Sequence, residues 1–412
     1  MPANACSARE RAALTTRLGD PSARLRLAMV SPGMPPTGGG IGTYTEKTAR
    51  ALAARGHEVH VVVPGISRLR SETIDSVRIH RVPTPRMQPR VLARSWAVAR
   101  ALRRLGPLDI VQACEWGGEG WYYAIGARIP LVTRLATPHF IVEELNEVPW
   151  RQRRRESFSR WLERSQTRRS TRVISPSTAL ADRVSKRWGI DRNLITVVPT
   201  GICPPRVDAG GLPAELSSLD YVLYFGRLEQ RKGVDTWIDA LPAVLRSRPA
   251  LHAVFVGEDR GIGGKSFEER ARAKCGSAAS RLHFLPAMPQ IRLFPIVAAA
   301  RLVVVPSHWE SLANACLEAM ALGRPVMATS GSGYGEVITD MVDGFLAPPG
   351  DAAALATRVQ AVLADEALLD RIGRAALCRA RDYDLDAMVD RLLSVYAEIL
   401  GSRAGLPEAV GA

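Results

Sequence analysis

The sequence predicts an α/β protein built from two successive, doubly wound parallel sheets. Short apolar segments typical of buried strands alternate with amphipathic helical segments over most of the 412 residues, which indicates repeated βαβ units. The alternation stops once, in the Pro- and Gly-rich segment 198–213, and then resumes. Such a break is typical of a connection between two domains.

The strand and helix segments divide the chain as follows. In the first set, the predicted strands are 25–31, 58–63, 77–82, 109–113, 130–135 and 172–175, with helices at 43–55 and 91–105. In the second set, the predicted strands are 221–225, 251–256, 282–284, 302–305 and 325–328, with helices at 234–246, 266–273, 314–322 and 352–364. We therefore assign 1–24 to an extension without fixed structure, 25–200 and 220–385 to amino- and carboxyl-terminal Rossmann-like domains, 201–219 to a linker, and 386–412 to a helix that can cross back to the first domain, with a tail.

Composition narrows the class of protein and its partners. Hydrophobic residues make up 46% and charged residues 23%, which excludes a mainly disordered or fibrous chain. The 55 Lys and Arg residues against 41 acids give a net charge of +14, which favours an anionic partner. Nucleic acid, an anionic membrane surface and a phosphorylated small molecule all fit that charge, but no nucleic-acid-binding module is present, so polynucleotide ranks low.

Cysteine spacing and hydropathy indicate the compartment. The six cysteines include no C-x-x-C pair, so we expect free thiols in a reducing cytosol rather than a zinc site or a disulfide framework. No apolar run reaches the ~18 residues of a membrane span, and the first residues are polar. These observations predict a cytoplasmic location.

The most basic segment of the chain is 150–172. Residues 151–172 contain nine arginines against Glu156 and Glu163, with Phe158 and Trp161 interleaved. One interpretation is peripheral contact with an anionic membrane surface at the inner face. The other is an ordinary solvated helix face whose aromatic side chains turn inward.

Three loops follow predicted strands at the sheet edges where α/β proteins bind ligands. The first holds Gly39 and Gly40 before a helix, so that bare backbone and a helix amino terminus could meet an anionic group. Alone it is a weak signal, because it lacks the G-x-G-x-x-G spacing and many strand-to-helix turns are glycine-rich.

The second loop, Gly226 to Gly233, carries Arg227 and Lys232. An Arg fork and a Lys point charge in one loop can hold a diphosphate between them. A solvated basic loop is the alternative.

The third loop reads PSHWESLANACLE and holds Glu310 and Glu318, eight residues apart. Two carboxylates on one crevice can accept hydrogen bonds from sugar hydroxyls, while the amides of Ser311 and Leu312 face anionic oxygens. The alternative is that Glu310 caps the helix and Glu318 lies on its wet face.

The ordered set of motifs resembles the retaining glycosyltransferases of family 4, which have the GT-B fold. The matching segments are GGGIGTYT, GHEVHVVV, DIVQACEWGGEG, VTRLATPHF, VISPST, VVPTGI, GRLEQRKG, ESLANACLE, AMALGRPVMATSGSGYGEVI and DGFLAPPGD. The resemblance covers about residues 25–400. It implies two Rossmann-like domains facing a central cleft, the first for the acceptor and the second for the donor.

The resemblance also implies roles for individual residues. Arg227 and Lys232 would bind the leaving diphosphate, Glu310 the donor sugar and Glu318 the ribose. Gly39 and Gly40 would approach the donor phosphates and the acceptor. Glu115 would fall in a loop facing the acceptor, although a structural glutamate fits that position equally well.

One position departs from the family pattern. Relatives read RLHTP where this chain reads RLATP, so Ala136 replaces the histidine beside the transferred sugar. His139 can reach the same space or serve as an ordinary loop histidine. The replacement bears on rate, donor choice and activity itself.

The expected reaction moves a sugar from a nucleoside diphosphate sugar to a hydroxyl acceptor, such as a secondary metabolite, a lipid or a saccharide. The resemblance implies front-face displacement with retention and no required cofactor, and we expect no metal site. Two other functions stay open. One is a non-catalytic nucleotide-sugar-binding protein, and the other is hydrolytic epimerisation of a nucleotide sugar.

Overall fold

A computed structural model describes residues 24–35, 39–66, 68–127, 129–146, 148–205, 207, 211–312 and 314–404. Within these residues the chain forms two α/β domains, each with its own sheet. Residues 1–23 of the expected extension and 405–412 of the expected tail lie outside the described part.

The amino-terminal domain contains an eight-stranded sheet. Its strands are β1 (Arg26–Val30), β2 (Glu58–Ile66), β3 (Arg70–Ile74), β4 (Val77–Pro83), β5 (Ile110–Cys114), β6 (Leu131–Arg134), β7 (Arg172–Ser175) and β8 (Ile195–Val197). Their order is β3-β4-β2-β1-β5-β6-β7-β8, with β3 antiparallel to β4 and the other pairs parallel. The central strands are apolar because helices cover both of their faces.

The carboxyl-terminal domain contains a six-stranded sheet whose pairs are all parallel. Its strands are β9 (Asp220–Phe225), β10 (Leu251–Val256), β11 (Leu282–Leu285), β12 (Leu302–Val305), β13 (Val326–Thr329) and β14 (Phe345–Ala347), in the order β11-β10-β9-β12-β13-β14. Two buried clusters, one on each face of this sheet, form its core.

Helices connect the strands of both sheets. In the amino-terminal half they are α1 (Gly39–Ala54), α2 (Arg90–Arg104), α3 (Trp121–Ala124), α4 (His139–Leu145), α5 (Trp150–Arg169) and α6 (Thr178–Trp188). In the carboxyl-terminal half they are α7 (Val234–Ser247), α8 (Phe267–Cys275), α9 (Gln290–Ala299), α10 (Asn314–Ala321), α11 (Tyr334–Val337), α12 (Ala352–Leu363), α13 (Glu366–Ala380) and α14 (Leu385–Ala404).

The carboxyl-terminal helix α14 packs on the first domain rather than the second. Its apolar side chains, including Val389 and Leu392, are buried with Leu27 of β1 and Leu52 of α1. The Tyr396 hydroxyl also donates a hydrogen bond of 2.8 Å to the side chain of Gln112 on β5. The last helix therefore ties the end of the chain to its beginning.

The structure confirms the predicted fold class, and each strand predicted from the sequence overlaps an observed strand. The strands that the sequence analysis missed are β3, β8 and β14. β3 is mostly exposed and polar, while β8 and β14 have three residues each. Edge strands of this kind bury little surface, so they carry a weak apolar signal.

Candidate active site

A large cleft lies between the carboxyl ends of the two sheets. Its cavity has a volume of about 860 Å³ and is lined by both domains. From the first domain the lining includes Gly39, Gly40, Tyr44, Trp116, Ala136 and Thr137. From the second it includes Gly226, Arg227, Arg231, Lys232, Glu310, Ser311 and Leu312. This volume lies in the range typical of small-molecule sites.

An ion pair joins the loop predicted to bind the diphosphate to the loop predicted to bind the sugar. The Lys232 ammonium contacts a carboxylate oxygen of Glu310, and Arg231 Nη1 lies 3.6 Å from the other oxygen. Arg231 also binds Glu229 at 2.8 Å. Cations and carboxylates thus alternate along one wall of the cavity.

A glycine permits the close approach of these loops. Gly233 has a φ of +65°, and a Cβ at this position would lie 1.9 Å from the carbonyl oxygen of Pro306. The amide of His308 donates to the carbonyl of Arg231 at 3.0 Å. Only a residue without a side chain can hold the Lys232 loop against the strand end that carries Glu310.

The charges around Glu310 strongly shift its titration. Burial opposes ionisation, but Lys232 and Arg231 outweigh it and lower the pKa of Glu310 to about 2. Burial lowers the pKa of Lys232, with Glu310 opposing that shift. Glu310 is therefore ionised at neutral pH, and its negative charge lies between the positive charges of Lys232 and Arg231.

Arg231 is a cleft residue that the sequence analysis did not single out. Its side chain is buried, and two of its guanidinium nitrogens, Nε and Nη1, have no hydrogen-bond partner within the described structure. Arg227, by contrast, is 51% exposed and pairs with Glu229 at 3.4 Å. Three cations therefore line this wall, and the unpaired nitrogens of Arg231 are buried, so its guanidinium acts mainly through its charge.

Ser311 and Leu312 lie where the β12 loop leads into α10, and both line the cavity. The Ser311 hydroxyl is 3.3 Å from the Thr137 hydroxyl of the first domain. The carbonyl of Glu310 accepts a hydrogen bond of 2.9 Å from Gly333. These contacts hold the loop after β12 in place, with one contact from each domain.

Glu318 lies on α10, about one helical turn further along the helix than Asn314 and Ala315, which line the cavity. Its carboxylate accepts a 2.6 Å hydrogen bond from Gln290. Burial raises its pKa to about 7, with Lys47 of α1 opposing the shift from across the cleft. Its protonation is therefore balanced near neutral pH.

Glu115 is fully buried beneath the first-domain wall rather than on the cavity surface. Both carboxylate oxygens lie 2.9 Å from the amide of Ala136, and the Cys114 thiol donates to one of them at 3.0 Å. Burial, with Glu163 nearby, raises the pKa of Glu115 to about 7. In this position it supports the loop that holds Ala136.

His139 likewise lies behind the cleft wall. Its ring stacks on the indole of Trp116 with centroids 3.7 Å apart, and its Nδ1 contacts the Glu163 carboxylate. Burial lowers its pKa, but the Glu163 contact outweighs burial, so the net shift is upward. The side chain that faces the cavity here is Trp116, another residue that the sequence analysis did not single out.

The basic segment forms α5, and its aromatic side chains divide between core and surface. Leu162 is buried, whereas Trp150 is 66% and Trp161 is 49% exposed. Phe158 stacks on Trp161 at 5.7 Å between ring centroids. Of the two interpretations of this segment, the one in which the aromatic side chains turn inward is therefore wrong for these two tryptophans.

No helix in the described ranges has the length and apolarity needed to cross a bilayer. Across the same ranges, His, Cys, Asp and Glu side chains form no group of three that could hold a metal ion. The acidic residues of the segment DYDLD, 382–386, are engaged locally. Asp384 accepts a 2.9 Å hydrogen bond from the amide of Asp386, and Asp382 pairs with Arg379 at 2.8 Å.

Two sequence profiles match most of the chain. Glycosyltransferase Family 4 matches residues 38–206, and Glycosyl transferases group 1 matches residues 220–365. The glycogen synthase of Mycobacterium tuberculosis is 30% identical over 406 residues, covering 90% of this chain and 94% of the relative. A D-inositol 3-phosphate glycosyltransferase of Nocardia farcinica is 28% identical over 409 residues, covering 89% and 87%.

Solved structures show the same fold. Sucrose-phosphate synthase from Thermosynechococcus elongatus superposes with a TM-score of 0.76 at 23% identity, covering 92% of this chain and all of that one. WaaG, a glycosyltransferase involved in lipopolysaccharide biosynthesis, gives 0.69 at 20% identity, covering 90% and 99%. At these identities the likeness shows the fold alone.

Two Rossmann-like domains around a cation-lined cleft define an enzyme of the GT-B glycosyltransferase class. The profile matches and the full-length relatives place the chain more narrowly: it belongs to glycosyltransferase family 4.

Proposed function

We propose that this glycosyltransferase moves a sugar from a nucleoside diphosphate sugar to a hydroxyl acceptor with retention of configuration. The observation that carries the proposal is the wall formed by Arg227, Arg231, Lys232 and Glu310. The guanidinium of Arg231 and the ammonium of Lys232 lie there beside the ionised carboxylate of Glu310. This arrangement suits a diphosphate next to a group rich in hydroxyls.

The electrostatics of the wall suit cleavage of a sugar–phosphate bond. As that bond breaks, negative charge grows on the departing diphosphate and positive charge on the anomeric carbon. Arg227, Arg231 and Lys232 stabilise the first. Glu310, which stays ionised, can accept hydrogen bonds from the sugar hydroxyls and hold the ring in place.

Retention without a protein nucleophile is supported by the distribution of acidic groups. The carboxylates that line the cavity in the described part of the chain are Glu229, Glu258 and Glu310, all in the second domain. Each is paired with a cation, namely Arg231, Arg260 and Lys232. We therefore propose front-face displacement, in which an oxygen of the leaving phosphate takes the acceptor proton.

Ala136 favours a second candidate, a protein that binds nucleotide sugars without transferring them. Its amide is held by the buried Glu115, and its methyl group offers no hydrogen bond to a sugar.

Neighbouring structures of Anabaena HepE hold UDP, glucose and UDP-glucose. The proposed donor for this chain is of the same chemical class.

Two measurements test the proposal. Thermal shift with UDP, GDP, ADP and dTDP should identify the base, because a ligand at a hundred times its dissociation constant adds about 2.7 kcal/mol of stability. Release of nucleoside diphosphate from the matching sugar donor is then followed with and without acceptors. Release that depends on an acceptor supports transfer. Binding without release supports the second candidate, and release with an altered sugar in the absence of acceptor indicates epimerisation.

We also propose that the exposed face of α5 contacts an anionic membrane surface. Trp150 and Trp161 are exposed there with Arg151 and Arg154, and this combination suits an interface of acidic headgroups. Co-sedimentation should be stronger with vesicles of phosphatidylcholine and phosphatidylglycerol than with phosphatidylcholine alone, and should weaken with salt and in Trp150→Ser/Trp161→Ser. Equal sedimentation of the double variant and the wild type would contradict the contact.

A further inference from the structure

The acceptor side of the cleft differs from the donor side in charge. The second domain lines the cavity with several ionised side chains, among them Arg231, Lys232 and Glu310. Among the described lining residues of the first domain, Arg134 alone carries a charge. Its guanidinium is already used, because it donates to the carbonyl of Val198 and, at 3.0 Å, to the Thr200 hydroxyl. This wall therefore offers little to an anionic group.

The same wall also carries a flat aromatic side chain. Trp116 follows β5 and lines the cavity, and the ring of His139 covers one face of its indole at 3.7 Å with 17° between the planes. The cavity-lining part of Trp116 must therefore be the other face or an edge. A ring already packed on one side presents a preformed surface for a second ring.

A buried carboxylate holds this pair in place. Glu163 of α5 is fully buried. It accepts hydrogen bonds from the amide of Gly117 at 2.9 Å and from the amide of His139 at 3.1 Å, and it also contacts the imidazole Nδ1. One side chain thus fixes both the loop that carries Trp116 and the ring behind it. The order of the indole does not depend on a ligand being bound.

We propose that Trp116 is the acceptor platform, on which an uncharged ring polyol, a pyranose or cyclitol without phosphate, lies with its C–H face against the indole. C–H hydrogens carry partial positive charge and meet the negative face of the π-system. Tyr44 and Thr137, both partly exposed, line the same cavity, and their hydroxyls can bond to ring hydroxyls. The inference rests on the proposed transferase function and specifies its acceptor.

Direct binding tests the platform without turnover. Saturation-transfer NMR with myo-inositol, maltose, D-sorbitol and glucose 6-phosphate should show binding of the two neutral rings. The open chain and the phosphorylated ring should bind at least about tenfold more weakly. Trp116→Leu should abolish the ring signals, whereas Trp116→Phe, which keeps an aromatic face, should retain them. Stronger binding of sorbitol or of glucose 6-phosphate would overturn the proposal.

Turnover gives an independent measurement with the donor chosen by thermal shift. Trp116→Leu should raise the KM for the neutral ring acceptor at least about tenfold and leave the KM for the donor within about twofold. His139→Ala should raise the acceptor KM in the same direction, because it removes the backing of the indole. Trp96→Leu, a tryptophan of α2 outside the cavity, is the matched control, with folding checked by thermal unfolding.

The two proposals fail differently. If no nucleoside diphosphate binds, the transferase function fails, and the NMR comparison still decides the platform. If transfer proceeds but Trp116→Leu leaves both the acceptor KM and ring binding unchanged, the platform fails and the transferase function stands.

Discussion

The Lys232 ammonium contacts the Glu310 carboxylate, joining two cleft loops that are 78 residues apart in the chain. Both side chains are largely buried, and Arg231 lies 3.6 Å from the same carboxylate. A buried pair of this kind does little for stability compared with well-packed apolar residues. Its position on the wall of a ligand cleft therefore points to a functional role.

Removing either member of this pair should lower turnover sharply, and it should also lower the unfolding temperature, because the other charge is left buried without its main partner. We expect Lys232→Ala and Glu310→Ala each to lower turnover at least about a hundredfold, as loss of a transition-state contact does. The double variant should lose less than the product of the two, because the residues share one interaction. Steady-state rates with saturating donor measure this effect.

The control for these variants is Lys274→Ala, which removes an exposed lysine paired with Asp239 at 2.9 Å in the same domain. It should keep wild-type turnover, since exposed pairs contribute little. Near-normal rates in both Lys232→Ala and Glu310→Ala would show that the chemistry takes place elsewhere.

Gly233→Ala should disrupt the cavity wall that holds Lys232 and Glu310, because it alters the backbone of the Lys232 loop. A Cβ here would lie 1.9 Å from the Pro306 carbonyl oxygen, and the φ of +65° disfavours side chains. We expect the Lys232 loop to move away from Glu310, with weaker donor binding and a lower unfolding temperature. Gly263 also has a positive φ, but a Cβ there would have no atom within 4 Å. Comparing Gly263→Ala with Gly233→Ala therefore separates the effect of backbone strain from the effect of the steric clash. Equal donor affinity in the two variants would argue against the close approach.

The fold could be predicted from the sequence because its signals lie in short, local segments. Buried parallel strands appear as apolar runs, and the loops at their carboxyl ends mark the cleft. Arg227, Lys232 and Glu310 were found because each lies in a motif. Their roles in catalysis remain predictions.

Arg231 and Trp116 were missed because their importance depends on packing. Arg231 stands in the same short loop as Lys232, and no local signal tells which of the two is buried. The role of Trp116 depends on His139 and on Glu163, a residue that the sequence analysis counted only as an offset to basic charge. Contacts between distant segments determine both, and a spacing pattern does not record them.

Donor affinity should rise with pH through the titration of Glu318. Burial raises its pKa to about 7, so the carboxyl is mostly neutral at pH 6 and mostly ionised at pH 8. If Glu318 binds the donor ribose, as the family resemblance implies, hydrogen bonds from the ribose hydroxyls favour the ionised carboxylate and lower its pKa in the complex. We expect the dissociation constant of the nucleoside diphosphate to fall up to about tenfold between pH 6 and 8. Isothermal titration in buffers of equal ionic strength measures it.

The comparison variant is Glu318→Gln, which keeps the shape and the contact distance to Gln290 but does not titrate. Its dissociation constant should vary less over the same pH range. An identical pH dependence in the variant and the wild type would assign the titration to another group.

Acidification should destabilise the fold through two histidine pairs. His60 Nδ1 lies 2.9 Å from His80 Nε2, and His252 Nδ1 lies 3.0 Å from His283 Nε2. Burial lowers the pKa of all four, and the neighbouring histidine adds to the shift for His80 and His252. At these four sites the unfolded chain therefore binds more protons than the folded chain. This stability is present above the unfolded pKa of about 6.5 and is lost as the pH falls through the lower folded values.

His139 works in the opposite direction, because Glu163 raises its pKa despite burial. Its contribution is full below pH 6.5 and is lost as the pH rises through its folded pKa. Burial also lowers the pKa of His57, whereas it raises the pKa values of Glu115 and Glu318 to about 7, so that both carboxyls take up protons in the folded chain over the same range. The histidine contributions are therefore separated by comparing each variant with the wild type between pH 7.5 and 5.5.

Each proton of difference changes the unfolding free energy by about 1.4 kcal/mol per pH unit. Relative to the wild type, His80→Gln should shift the change in stability on acidification toward stabilisation, and His139→Gln should shift it toward destabilisation, as followed by calorimetry. A profile that neither variant changes would place the acid sensitivity in the carboxylates instead.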